Sequence, residues 1–145
     1  MQITPHFRAQ EFACHDGTPY PAEWIPDRLV PLCGVLEVIR AEVGRQVIIV
    51  SGYRSPAYNE ARRRNSAGVA KDSQHVEGKA GDIRCPGLPS TELHEAVLRL
   101  QRAGKLPALG GVGLYRGWVH VDVRTKPADG HLARWNGDGL MDSAA

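Results

Sequence analysis

The longest periodic stretch runs through residues 27 to 43. Leu29, Leu32, Cys33, Leu36, Ile39 and Val43 recur there at intervals of three and four. That spacing gathers them on one face and predicts an amphipathic helix. Pro26 and Pro31 fit its first turns better than its middle, and Gly44 is a natural stop. Val47-Ile48-Ile49-Val50 follows as an unbroken β-branched run, which predicts a strand buried on both faces. Ser55 reads as the N-cap of a second helix, with Pro56 at its first position and an end near Asn65. A last helix is predicted with Ser90 as its cap and Leu93, Ala96, Val97 and Leu100 as its apolar face. Glu92 and Glu95 near its start, and Arg99, Arg102 and Lys105 near its end, suit the helix dipole. His94 on this helix reads as exposed and is not counted as a ligand.

A second pattern, of period two, occupies the C-terminal half. Residues 118 to 124 read Trp-Val-His-Val-Asp-Val-Arg. In a strand, Val119, Val121 and Val123 share the core face, while Trp118, His120, Asp122 and Arg124 share the other. Residues 112 to 115 predict the preceding strand, joined by a tight turn at Arg116-Gly117. Residues 79 to 85 predict another, with Ala80, Asp82 and Arg84 on one face and Gly81, Ile83 and Cys85 on the other. The fold class expected is α+β: a small, mainly antiparallel sheet with helices packed on one side. Residues 1 to 25 lack periodicity and read as an irregular arm anchored by Phe7, Phe12, Tyr20 and Trp24. The tail from about residue 137 to residue 145 reads as mobile.

Composition sharpens this picture in three places. A chain of 145 residues with no repeat and no linker is read as one domain. A formal net charge of +2 gives no footprint for nucleic acid. No apolar run is long enough for a membrane span, and the N-terminus lacks the apolar stretch of a signal peptide. The chain is therefore expected to be made in the cytoplasm and to reach any outside target by another route, as a monomer. Cys14, Cys33 and Cys85 form no C-x-x-C pair, and buried, inert thiols are expected. Arg62, Arg63 and Arg64 read as a solvated face, or as a dock for anionic polymer.

The candidate chemistry lies in two stretches, Ser73 to Asp82 and Trp118 to Asp122. A turn at His75 can fold back over the strand carrying Asp82, and a sheet can bring His120 beside it. His75, Asp82 and His120 then form the three-ligand set that a catalytic zinc commonly takes, with a fourth position left for water. Cys14, His15 and Asp16 are also metal-type residues, but their adjacency in a loop with Gly and Pro argues against a second metal site.

The pattern S-x-H-x-x-G-x-A-x-D, followed by a strand carrying W-V-H-V-D, resembles the zinc D-Ala-D-Ala carboxypeptidase family of murein peptidases. The resemblance extends to Ser51-Gly52-Tyr53-Arg54-Ser55, Asn59, Gly110-Gly111-Val112-Gly113, Phe12-Ala13-Cys14 and Ala133-Arg134-Trp135. It covers roughly residues 5 to 136 and points to the small, single-domain branch of that family. The wider group holds lysostaphin-type endopeptidases and the hedgehog signalling domain, so the resemblance implies a hedgehog/D-Ala-D-Ala-peptidase-like sheet. It also implies one zinc ion on His75, Asp82 and His120, and hydrolysis of amide bonds in peptidoglycan stem or cross-link peptides. The mode is either D,D-carboxypeptidase or endopeptidase, with a phage or prophage lysis component among the settings.

By resemblance, Arg54 binds a substrate carboxylate or the developing oxyanion; its alternative is a structural salt bridge. Ser73, Gln74, Tyr53 and Trp118 are the candidate substrate contacts. Asp122 is the candidate general base, with orientation of a metal-bound His as the competing role. Glu77 and His131 are lesser candidates for the base. Relatives in the wider group often place an acid three residues before the last zinc histidine, or a histidine two before it. Here those positions are Gly117 and Trp118. That departure keeps open a second function, a non-catalytic zinc domain that binds cell wall or a protein partner.

Overall fold

The alternation of Val119 and Val121 with His120 and Asp122 divides a five-stranded sheet into an apolar face and a chemical face. A computed structural model describes residues 1–66, 69 and 72–137 of the chain. In chain order the elements are β1 (Gln2–Thr4), β2 (Phe7–Arg8), α1 (Val30–Val43), β3 (Ile48–Ser51), α2 (Pro56–Asn65) and β4 (Ala80–Arg84). α3 (Ser90–Arg102), β5 (Gly111–Tyr115), β6 (Trp118–Asp122) and β7 (Ala133–Asn136) complete the order. The sheet runs β3-β4-β6-β5-β7. β3, β4, β6 and β5 pair antiparallel with their neighbours, and β7 joins β5 in parallel. The sheet is thus mainly antiparallel, as expected, with one parallel pairing at its β7 edge.

The helices pack on one side. Leu32, Leu36 and Ile39 of α1 and Leu93, Val97 and Leu100 of α3 join Ile83, Val112, Leu114, Val119 and Val121 in one buried cluster. Each such side chain contributes about 1.5–3 kcal/mol on full burial, so the apolar face dominates the energetics. The opposite face is left for chemistry.

Several local expectations are revised. α1 begins at Val30 and is preceded by a π-helical turn, Ile25–Leu29, which accommodates Pro26. Gly44 ends α1 in a left-handed conformation at φ 64°, as a stop glycine does. β3 is an edge strand and Ile48, Ile49 and Val50 are only half-buried, so the β-branched run marks a strand but not a central one. Ser55 caps α2 as expected, accepting from the Tyr58 amide at 3.2 Å. Ser90 does not cap α3: Pro89 holds that position, and the Ser90 hydroxyl donates to the Tyr115 carbonyl at 2.6 Å. His94, expected to be exposed, is buried at 2% exposure, on the same side of α3 as the buried Leu98 one turn on. The N-terminal segment is more ordered than an irregular arm. It holds the β1–β2 hairpin and 3-10 turns at Ala9–Phe12 and Ala22–Trp24, and buries Phe7, Phe12, Cys14 and Tyr20. All three cysteines are free and buried. The mobile tail expected at the C-terminus lies, from residue 138 on, outside the described residues.

Two glycines on β5 make room for the chemical face. A Cβ on Gly111 would lie 2.4 Å from Asp122 Oδ2, and one on Gly113 would lie 2.5 Å from the Trp135 indole. Asp122 is fully buried and tied at both oxygens, whereas Trp135 is half-buried on an edge strand and has room to move. Gly111→Ala is therefore the costlier change. Overpacking of about 2 kcal/mol lowers the melting temperature by about 4–8 °C at this chain length. Gly113→Ala lowers it by less, and calorimetry of the two variants against the parent checks the order.

Candidate metal centre

The register of the sheet places Gly113 opposite His120 and His120 opposite Asp82. His75 reaches the same point from the turn before β4. That turn is built from its own backbone and held from outside. Ser73 Oγ accepts from the His75 amide at 3.1 Å, and the Gln74 carbonyl accepts from the Lys79 amide at 3.0 Å. The Arg54 amide donates to the His75 carbonyl at 3.1 Å. From the N-terminal segment, the Tyr20 hydroxyl donates to the Gly78 carbonyl at 2.5 Å and Arg28 donates to the Glu77 carbonyl at 2.6 Å.

Each imidazole has one nitrogen fixed by a group that only accepts. His75 Nδ1 lies 2.7 Å from the Gly52 carbonyl, and His120 Nε2 lies 2.7 Å from Asp122 Oδ2. Both of those nitrogens therefore carry the proton and donate. The other two, His75 Nε2 and His120 Nδ1, face Asp82 Oδ1 at 3.1 and 3.2 Å. With both imidazoles neutral, three lone-pair atoms converge, and His75, Asp82 and His120 are all buried. Such a set repels itself unless a proton or a cation lies among its members. Donors about 2.0–2.2 Å from a tetrahedral zinc are spaced about 3.3 Å apart, which the two observed separations match. Among the described residues this is the one cluster of metal-type side chains, its donor atoms all within 4.8 Å of one another. The donor chemistry and spacing fit a single metal ion.

The electrostatics follow the same geometry. Burial opposes ionisation of Asp82, yet the charges and hydrogen bonds of His75 and His120 hold its carboxyl well below the usual carboxylate range. Burial lowers the pKa of His75 and outweighs the pull of Asp82, which keeps His75 Nε2 a lone pair. His120 differs: burial works against its charge, but hydrogen bonds to Asp122 and Asp82 raise its pKa.

Two arginines hold the carboxylates. Arg54 Nη2 donates to Asp82 Oδ2 at 3.2 Å, and its Nε donates to Ser51 Oγ at 3.2 Å. Arg124 is bidentate to Asp122, with Nε to Oδ1 at 2.9 Å and Nη2 to Oδ2 at 2.7 Å. Burial disfavours the Asp122 anion, but His120 and Arg124 hold its pKa far below the usual range. Trp135 closes one side of the site, its ring 5.0 Å from that of His120 and its Nε1 donating to the Tyr115 hydroxyl at 2.8 Å. Trp118 is half-buried and stacks on Tyr115, with ring centroids 5.0 Å apart. Tyr53 is buried and meets Tyr20 and Trp24 edge-on. Gln74 is half-buried in the His75 turn, and Glu77 is exposed on it. His131 is exposed and pairs with Asp129 at 2.9 Å. Asp16, read with Cys14 and His15 as a metal-type run, accepts from the Ser55 hydroxyl at 2.7 Å.

Sequence reasoning assigned no role to the Gly52 carbonyl or to Arg124. The first leaves no side-chain signal. Arg124 was legible in principle, being two residues beyond Asp122 on the same face.

A buried two-histidine, one-carboxylate set on one face of a small α+β sheet defines a metal-site domain. The family described as peptidoglycan L,D-endopeptidase MepK matches residues 28–127, and the chain belongs to that family, within the broader group of zinc D-Ala-D-Ala carboxypeptidase-like murein peptidases. The protein named "Probable peptidoglycan L,D-endopeptidase MepK" in Haemophilus influenzae is 36% identical over 94 residues, which cover 63% of this chain and 44% of that protein. The peptidoglycan L,D-endopeptidase MepK of Escherichia coli K12 is 37% identical over 81 residues, 54% of this chain and 41% of that protein. The chain thus spans less than half the length of these relatives. No solved structure gives a significant match.

A metal that relieves the lone-pair repulsion stabilises the fold. At a concentration of 100 times its Kd, a ligand contributes about 2.7 kcal/mol, or about 5–11 °C in melting temperature at this size. Calorimetry with and without zinc should show that rise in the parent, and none in Asp82→Ala or His120→Ala. Acid competes with the metal. Because the pKa of His120 lies above its ordinary 6.5, zinc release on acidification begins at a higher pH than an unperturbed histidine gives. A zinc-indicator titration downward from about pH 8 checks the onset.

Proposed function

We propose that this chain is a zinc-dependent peptidase that hydrolyses amide bonds in peptidoglycan peptides, in the endopeptidase mode that the names of its relatives give. The observation that carries the reading is the convergence of His75 Nε2, His120 Nδ1 and Asp82 Oδ1 in a chain of the MepK family. These three residues would hold one zinc ion. When bound, zinc supplies Lewis acidity, polarising an amide carbonyl and lowering the pKa of water towards about 7. No helix among the described residues is long and apolar enough to cross a membrane. Its proposed substrate lies outside the cytoplasm, so the chain meets it after export or release.

The chain's own residues then take distinct parts. Asp122 orients His120, keeping its Nδ1 lone pair turned towards Asp82. Both Asp122 oxygens are engaged by His120 and Arg124. An anion whose pKa is so far depressed accepts a proton poorly at neutral pH. These facts support orientation over the role of base. Arg54 uses two of its five N–H donors on Asp82 and Ser51. Its remaining donors suit charge developing on the substrate carbonyl oxygen. Trp118, Gln74 and Tyr53 are proposed to contact the peptide, and Ser73 to hold the His75 turn.

The test incubates purified protein with isolated peptidoglycan and defined stem peptides, with chelator or added zinc, and reads the products by mass spectrometry. Metal-dependent cleavage supports the peptidase and names its bond. A folded, zinc-loaded protein that cuts nothing favours a binding domain, the function that Gly117 and Trp118 leave open. Asp122→Asn separates the two roles of that residue. Orientation predicts that zinc affinity and kcat/KM fall together by about 10- to 100-fold. A base role predicts loss of kcat with zinc affinity intact.

A further inference from the structure

The chemical face is arranged in three rows across β5, β6 and β4. The first is Gly111, Asp122 and Ala80, and the second is Gly113, His120 and Asp82. The third, continuing the register past the Ile83–Val119 pair, is Tyr115, Trp118 and Arg84. Successive rows are two residues of rise apart, about 6.6 Å. The first row is fully buried and sealed by the Arg124–Asp122 pair. In the third row Tyr115 and Trp118 are half-buried and stacked, and Arg84 is exposed. Trp135 and Gly137 cover the Tyr115 end of the third row, so a peptide engaged at the second row can pass over its Trp118–Arg84 end and not over the first row.

Arg84 differs from the other arginines of this face. Arg54 is paired with Asp82 and Arg124 with Asp122. The Arg84 guanidinium makes no hydrogen bond or ion pair among the described residues. It borders a recess of about 500 Å3 that Pro86, Ser90 and Arg116 also line. A half-buried, ring-stacked aromatic pair beside an uncommitted planar cation suits a peptide packed against the aromatics with a carboxylate on the guanidinium.

We propose that Arg84, next to the Trp118–Tyr115 stack, is a specificity-determining subsite that takes a free carboxylate of the substrate, one row, about 6.6 Å, from the row that holds the scissile bond. The proposal rests on the peptidase reading and deepens it to acidic peptides. The carboxylate is either a terminal α-carboxyl or a side-chain carboxyl, and the chemistry at Arg84 is the same for both.

The experiment uses the zinc-loaded full chain and stem peptides made in four forms: both carboxyls free, only the α-carboxyl amidated, only the side-chain carboxyl amidated, and both amidated. The parent and Arg84→Gln are compared on each, with kcat and KM measured separately. The expected result is that amidating one of the two carboxyls lowers the parent's kcat/KM by about tenfold, mainly through KM. The carboxyl whose amidation has this effect is the source. Arg84→Gln should cut all four forms alike, at the parent's rate on the doubly amidated form, and Arg84→Lys should restore part of the preference. Because Arg84 is exposed, these variants are expected to fold, and equal turnover of the doubly amidated peptide verifies it. A parent that does not discriminate, or an Arg84→Gln variant that discriminates as the parent does, overturns the subsite and leaves the peptidase standing. Failure of the zinc-loaded parent to cut any of the four overturns both.

Discussion

Three electron-pair donors point at one another inside this protein, and the rest of its chemical face exists to keep them so. Left alone, His75 Nε2, His120 Nδ1 and Asp82 Oδ1 repel. The fold prevents the usual escapes, which are rotation of a ring or withdrawal of the carboxylate. His75 is locked by the Gly52 carbonyl, His120 by Asp122, and Asp82 by Arg54. Each lock is a buried or half-buried polar group with its own partner, so undoing any of them leaves an unsatisfied atom. The arrangement is thus prepared for a cation before one arrives.

The locks also explain why so much of the molecule bears on so small a site. Gly52 follows the edge strand β3, and its backbone position is shared with Phe12: a Cβ there would lie 2.7 Å from the Phe12 Cα. The neighbouring Tyr53 amide donates to the Phe12 carbonyl at 2.9 Å. The N-terminal segment therefore fixes the carbonyl that sets the His75 tautomer. Through Tyr20 and Arg28 it also fixes the far side of the His75 turn. A stretch without periodicity turns out to be structural support for the metal centre, and its buried aromatics supply the energy that holds it there.

What was legible in the sequence was what local geometry determines. Strand alternation put Trp118, His120, Asp122 and Arg124 on one face, and capping chemistry put the start of α2 at Ser55 and Pro56. The ordered motifs then named His75, Asp82 and His120 as a set. What escaped was set by distant partners. Nothing local distinguishes a β-branched run in an edge strand from one in the centre of a sheet, so β3 was misplaced. His94 read as exposed because a lone polar residue on a helix gives no sign of which neighbour it meets. β7 is polar and short, and only its pairing with β5 makes it a strand. That pairing in turn carries Trp135 over Gly113 to His120.

The roles of the two aspartates follow from what surrounds them more than from their own chemistry. Asp82 and Asp122 are both buried anions, each paired with one arginine and touched by histidine. Asp82 keeps Oδ1 turned towards the donor set, with Arg54 only on Oδ2. Asp122 has Arg124 on both oxygens and His120 on one of them, and so has no lone pair turned towards the metal position with which to act as a ligand. That asymmetry places one carboxylate in the donor set and the other behind it. It also separates the two arginines, because Arg124 grips Asp122 with two N–H groups while Arg54 holds Asp82 with one. Among the described residues, the arginine of this face without a hydrogen bond or ion pair is Arg84, which stands one row away and is exposed. On this face, the proposed selectivity for an acidic substrate therefore rests on a residue outside the metal centre.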